Sequence, residues 1–121
     1  MDDEPMIAFT LRKIFELAGY QAQAFTNPMD ALKTGLELQP DLLIAEVVMP
    51  NMSGIHLAIA FTKLFPACKV LLVSALATTA DLAEGANGHG LRFPLLPKPI
   101  HPDNLLHIVE ELLESPAGTA T

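Results

Sequence analysis

Asp41-Leu42-Leu43-Ile44-Ala45-Glu46-Val47-Val48-Met49-Pro50-Asn51-Met52-Ser53-Gly54 is the stretch whose reading decides the fold. An apolar run from Leu42 to Ala45 ends in one carboxylate, Glu46; a loop with Pro50 follows, and Ser53-Gly54 opens the next amphipathic segment. A short, continuous apolar run bounded by turn signals predicts a strand buried on both faces, as in a parallel sheet. Ligands and chemistry gather just beyond the carboxyl ends of such strands. Glu46 stands at that end and is the first candidate functional residue.

On the N-terminal side, Asn27-Pro28 supplies a cap and a first-turn proline for a helix with Ala31, Leu32 and Leu36 on its apolar stripe, and Gln39-Pro40 ends it. Before that, Tyr20-Gln21-Ala22-Gln23-Ala24-Phe25 alternates polar with apolar residues and predicts a short strand with one wetter face. Asp2-Asp3-Glu4-Pro5 begins a helix striped by Ile7, Leu11, Ile14 and Ala18, with Gly19 as its stop.

On the C-terminal side, Ser53 caps a helix carrying Leu57, Ala60, Phe61 and Leu64, stopped by Pro66. Lys69-Val70-Leu71-Leu72-Val73-Ser74 is a second buried strand with a polar residue at its far end. A short helix is predicted over 78–84, a loop over 87–90, and an edge strand over 91–96, because Pro94 cannot donate to a central ladder. Lys98-Pro99 closes that strand. His101-Pro102-Asp103 starts a last helix with Leu105, Leu106, Val109, Leu112 and Leu113, and 115–121 reads as a flexible tail or linker stub after a domain spanning 1–114. Strands alternating with helices predict an α/β fold with a parallel sheet.

Composition narrows the function. The chain has 121 residues, half of them hydrophobic, which suits one globular domain with one core. Its formal net charge is -7, and the seven Lys and Arg residues form no run, which argues against nucleic-acid binding. A lone Cys68 allows no internal disulfide, in keeping with a cytoplasmic setting. No apolar stretch approaches the roughly 20 residues that span a bilayer, and the acidic N-terminus is unlike a signal peptide. His56, His89, His101 and His107 show no metal-ligand spacing, and Gly85, Gly88 and Gly90 form no phosphate-cradling pattern.

A parallel sheet brings Glu46, Ser74 and Lys98 to one edge, and the Asp2-Asp3 pair can reach it. Three carboxylates against one ammonium favour a hard divalent cation with oxygen ligands. A cation, a lysine and a hydroxyl suit the equatorial oxygens of a phosphoryl group.

Asp2-Asp3-Glu4-Pro5, the run from Asp41 to Gly54, Val73-Ser74-Ala75 and Lys98-Pro99 occur in the order and near the spacing of a known family. The chain resembles the receiver domain of bacterial two-component response regulators over about residues 2–114. The resemblance implies a flavodoxin-like (βα)5 fold and a role in phosphorelay signalling rather than enzymatic turnover, with a histidine kinase or phosphotransfer protein as phosphate donor. It implies Mg2+ held by Asp2, Asp3, the phosphoacceptor position Glu46 and the backbone carbonyl of Val48. Ser74 corresponds to the hydroxyl that follows the phosphoryl group, and Lys98 to its counter-charge, with a cis bond before Pro99. The final helix and the face over 78–96 are where such domains dock partners.

Three departures from the family pattern shape the expectations. The acceptor is ordinarily an aspartate, and Glu46 adds one methylene, about 1.5 Å of reach. In-line transfer tolerates little misplacement, roughly 100-fold in rate for 1 Å, so phosphoryl transfer is expected to be poor or absent. Glu46 is instead expected to reach Ser74 or Lys98 directly and to imitate a phosphorylated aspartate in part. Next, the family's first strand is lacking: Met1 stands where it would end, which leaves a gap beside 42–45. Truncation, a shift of 20–25 across the gap, or a partner filling it would each account for this, and unpaired inner edges invite strand addition or swapping, a homodimer through that edge among them. An α-amino group beside Asp2 would also compete with a metal. Finally, Leu95 occupies the usual aromatic switch position, with Phe93 on the same face only if the strand runs regularly through Pro94.

Two alternatives accompany this reading. One is a pseudo-receiver that docks or dimerises without phosphate. The other is a small Mg2+-dependent phosphatase, which needs an aspartate nucleophile and a second acid two residues on; Glu46-Val47-Val48 supplies neither.

Overall fold

A computed structural model describes residues 1–49, 53–74 and 93–114. Four helices, α1 (Pro5–Leu17), α2 (Pro28–Leu38), α3 (Gly54–Leu64) and α4 (Pro102–Glu114), surround three strands, β1 (Leu42–Glu46), β2 (Lys69–Ser74) and β3 (Leu95–Pro97). The predicted helix at 78–84, the loop at 87–90 and the tail at 115–121 lie outside the described residues.

The helix boundaries follow the local chemistry. Pro5 and Pro28 sit in the first turns of α1 and α2, where a missing N–H costs nothing. The Asn27 side chain accepts a 2.9 Å hydrogen bond from the Met29 amide, and the Ser53 hydroxyl a 3.0 Å bond from the Ile55 amide. Gly19, with φ at +98°, ends the turn after α1 in a backbone region that disfavours side chains.

The sheet is parallel in the order β1-β2-β3. Its alternation separates two cores. Leu43, Ala45, Val70 and Leu72 face Ala31 of α2 and Leu57, Ala58 and Phe61 of α3. Leu71, Val73 and Leu96 face Leu11 and Phe15 of α1 and Leu105 and Val109 of α4, with Leu42 and Ile44 packed alongside. Both faces of β1 are therefore covered, which is why it reads as a continuous apolar run. The layering is that of a flavodoxin-like α/β domain.

Two expectations change. Residues 20–25 alternate as foreseen but form no strand; their one ladder-like bond is from the Asp2 amide to the Phe25 carbonyl, at 3.1 Å. Alternation reports two unlike faces, whereas a strand also needs a neighbouring backbone, and only Met1 and Asp2 supply one here. The strand expected over 91–96 spans Leu95–Pro97 instead, with 91 and 92 outside the described residues. The Pro94 carbonyl still accepts a 2.9 Å bond from the Leu72 amide, and Phe93 and Leu95 pack against the same core.

Candidate functional site

The register sets the site. Glu46 pairs with Val73, Val73 with Leu96, and Ser74 with Pro97, so Glu46, Ser74 and Lys98 end adjacent strands at one edge. The Lys98 amide donates to the Ser74 carbonyl at 2.9 Å, past the last paired residue, and the Lys98–Pro99 peptide is cis.

Two close approaches lock Glu46. Its amide donates to the Met1 carbonyl at 3.0 Å, and the Met1 ammonium donates to the Ile44 carbonyl at 2.7 Å. Beneath it, the Gly54 amide donates to the Val47 carbonyl at 2.8 Å. A Cβ on Gly54 would overlap the Glu46 carbonyl oxygen and lie 2.8 Å from its carbonyl carbon. The sequence marked Ser53-Gly54 as a cap; the need for glycine comes from the strand end pressed against it.

Lys98 joins the two acids. Its Nζ lies 2.9 Å from Asp2 Oδ2 and 3.5 Å from Glu46 Oε1. Asp2 is almost fully buried, at 1% exposure, and its Oδ1 accepts from the Glu4 amide at 3.0 Å, at the entry to α1. Burial pushes the Glu46 carboxyl pKa up; the nearby Lys98 charge opposes this and Asp2 adds to it. Burial alone would lower the Lys98 pKa, but the hydrogen bond and charge of Asp2, then those of Glu46, raise it. Burial lowers the Met1 ammonium to about 6, with Asp2 opposing and Lys98 reinforcing the change.

Of the residues singled out from sequence, Asp2, Glu46 and Lys98 converge and Ser74 is buried at the same edge. Asp3 and Val48 are exposed. Leu95 lies opposite Leu72, half-buried against the core. Met1 is a participant that composition and spacing did not reveal beyond its place beside Asp2.

As they stand, no three His, Cys, Asp or Glu side chains among the described residues gather to hold a metal. The donor chemistry nevertheless fits a hard cation, because the set consists of carboxylate oxygens. One of them, Glu46 Oε2, is buried without a hydrogen-bond partner, and a buried oxygen of that kind is costly unless some group meets it.

A family model described as the response regulator receiver domain matches residues 1–110. The response regulator receiver protein CpdR of Brucella abortus is 32% identical, over 93% of this chain and 91% of its own length. The chemotaxis protein CheY of Thermotoga maritima is 27% identical, over 93% and 92%. The DNA-binding transcriptional regulator NtrC of Proteus hauseri is 30% identical over 93% of this chain, which spans only 24% of NtrC. Among solved structures, the NtrX receiver domain of Brucella abortus superposes with a TM-score of 0.83 over 95% of this chain and 96% of its own, at 22% identity. The response regulator TrrA of Thermotoga maritima, solved with Mg(2+)-BeF, gives 0.77 at 28% identity, over 92% of this chain and 93% of its own.

Proposed function

Because the chain belongs to the response regulator receiver domain family, we propose that it receives signals in a two-component system with Glu46 at the phosphoacceptor position and phosphoryl transfer impaired. The family consists of signalling modules rather than enzymes, so the output is a change in protein–protein contact. Receiver domains generally take phosphate from histidine kinases or phosphotransfer proteins and bind Mg2+ where they are phosphorylated. For this chain, we assign that donor class and a cytoplasmic setting; no described helix is long and apolar enough to cross a membrane.

The observation that carries the reading is the position of Lys98 Nζ, 2.9 Å from Asp2 and 3.5 Å from Glu46. A counter-charge suited to a phosphoryl group is already engaged by the longer acid. Glu46 thus takes up interactions that an acyl phosphate on an aspartate would make. Ser74 is assigned the hydroxyl that would meet phosphoryl oxygens, and Leu95 the switch position. Asp2, Asp3, Glu46 and the Val48 carbonyl would hold Mg2+, which supplies positive charge for those oxygens.

The test is intact mass after incubation with a small phosphodonor and Mg2+, with wild type beside Glu46→Asp. Gain of a base-labile phosphoryl group by Glu46→Asp alone is the expected result. Equal gain by wild type would overturn the impairment. The second reading, a phosphorylation-independent docking module, is favoured by the same Lys98–Glu46 pair. It requires that partner binding by wild type equal that of phosphorylated Glu46→Asp.

A further inference from the structure

The peptide unit that joins Glu46 to Val47 is held on both of its edges. Its N–H, on Val47, donates to the Val73 carbonyl of β2 at 3.0 Å. Its C=O, on Glu46, lies against the bare Cα of Gly54, the first residue of α3. Because a peptide unit is planar, holding both edges fixes its rotation, and with it ψ of Glu46 and φ of Val47. One residue on, the Val47 carbonyl accepts from the Gly54 amide at 2.8 Å. Gly54 therefore meets two successive carbonyls, one through its Cα and one through its N–H.

Neither side of this contact is free to retreat. The register of β1 on β2 sets Glu46 opposite Val73. The start of α3 is set by Ser53, whose hydroxyl accepts from the Ile55 amide at 3.0 Å and whose carbonyl accepts from the Leu57 amide at 3.1 Å. Ile55, Leu57, Ala58 and Phe61 then bury the helix in the core that holds Ala45 and Val47. A Cβ at position 54 would overlap the Glu46 carbonyl oxygen and lie 2.8 Å from its carbonyl carbon and 3.1 Å from the Val47 Cα, all of them backbone atoms. Ordinary carbon–oxygen contacts need about 3.3–3.6 Å, so the peptide unit would have to move by on the order of 1 Å. The Glu46 carboxylate rides on that backbone, with its Oε1 only 3.5 Å from Lys98 Nζ, a contact with no slack for such a movement.

We propose that Gly54 is a positioning residue for the acceptor carboxylate at position 46, acting through the backbone that carries it. The inference rests on the reading of Glu46 as the acceptor position and deepens it. The reach of the acid is set jointly by its added methylene and by the absence of a side chain at 54. A glycine needed for stability alone would leave the carboxylate in place in whatever protein remains folded. A positioning glycine moves it.

Two readouts separate these roles. The first is the carboxyl 13C resonance of Glu46 in the whole chain, labelled at glutamate and assigned with Glu46→Gln. It is expected to move in Gly54→Ala. It is expected to stay in Ser53→Ala, which loses only the cap bond of the same turn, and in Val109→Ala, which weakens the opposite core. The second is the rate of base-labile mass gain from a small phosphodonor with Mg2+ in the Glu46→Asp background. Adding Gly54→Ala is expected to slow it about 100-fold, the effect of roughly 1 Å of misplacement, and adding Ser53→Ala to leave it nearly unchanged. An unmoved resonance in Gly54→Ala, or equal rates with and without it, overturns the proposal. If Glu46→Asp itself gains no phosphoryl group, the acceptor reading fails and the resonance alone decides this one. If Gly54→Ala does not fold, hydrogen exchange in the wild type decides. The Val47 and Gly54 amides are expected to be protected as strongly as those of β2, and faster exchange of either overturns the grip on this peptide.

Discussion

Asp2→Asn removes the charge that holds Lys98 while keeping the size of the side chain and an acceptor for the Glu4 amide. In the native site the Asp2 side chain is 2% exposed and that of Lys98 14%, with 2.9 Å between them. At an effective dielectric near 20 their gross attraction is roughly 6 kcal/mol, and breaking a buried pair costs about 3–5 kcal/mol. Lys98 retains Glu46 at 3.5 Å, so the loss in Asp2→Asn is expected nearer ~2–3 kcal/mol. Lys98→Met leaves two buried carboxylates without the lysine they share and is expected to cost ~3–5 kcal/mol. Urea unfolding of wild type, both single variants and the double variant, at neutral pH with chelator, closes the cycle. The double variant should be less destabilised than the sum of the singles by about 1.5 kcal/mol or more. A coupling below about 0.5 kcal/mol would refute the view that this pair holds the site together.

Glycine positions give a second, steric test. Gly54→Ala drives a Cβ into the Glu46 carbonyl, which is backbone and cannot yield, so urea unfolding should show a loss of ~3 kcal/mol or more. Gly35→Ala meets the Phe65 ring at 3.1 Å, a side chain that can shift, and should cost about 1 kcal/mol or less. Stability between pH 6 and 8 reports on Met1. Its ammonium pKa is lowered from 8.0 to about 6 in the fold, so the contribution is present above pH 8 and lost as pH falls toward 6, by roughly 2–3 kcal/mol. Nα-acetylation should remove that slope in a difference curve of unfolding free energies, in which the histidines cancel; an unchanged slope would sink the assignment. The same acetylation should raise Mg2+ affinity, measured by calorimetry below about pH 6, because there it removes a positive charge beside Asp2.

Much of this was legible because it was local. The run from Leu42 to Glu46 is apolar throughout since both its faces are covered, and Asn27 and Ser53 cap the helices they precede. The order of Glu46, Ser74 and Lys98 translated into one edge because parallel strands place their ends together. What was not legible depends on distant partners. Asp2 and Asp3 are neighbours of one type, yet only Asp2 is drawn to a lysine 96 residues away, while Asp3 is exposed. Residues 20–25 have a strand's alternation without the adjacent backbone that would make them one.

Charge counting links these results to the choice between readings. The two buried acids, Asp2 and Glu46, share the Lys98 ammonium, and the buried Met1 ammonium, bonded to the Ile44 carbonyl, lies near enough to feel the charge of Asp2; with both ammonium groups charged the cluster of four is formally neutral. A divalent cation or a phosphoryl group entering it must displace part of an existing balance instead of filling a deficit. Loss of the Met1 proton, favoured above about pH 6 by burial, restores one net negative charge and with it some attraction for a cation. Glu46 has a raised pKa and an unpartnered Oε2, so it is the member least well satisfied and the one an incoming cation would meet most favourably. If Glu46 holds Mg2+ as proposed, the cation at Oε2 and Lys98 at Oε1 would share one carboxylate.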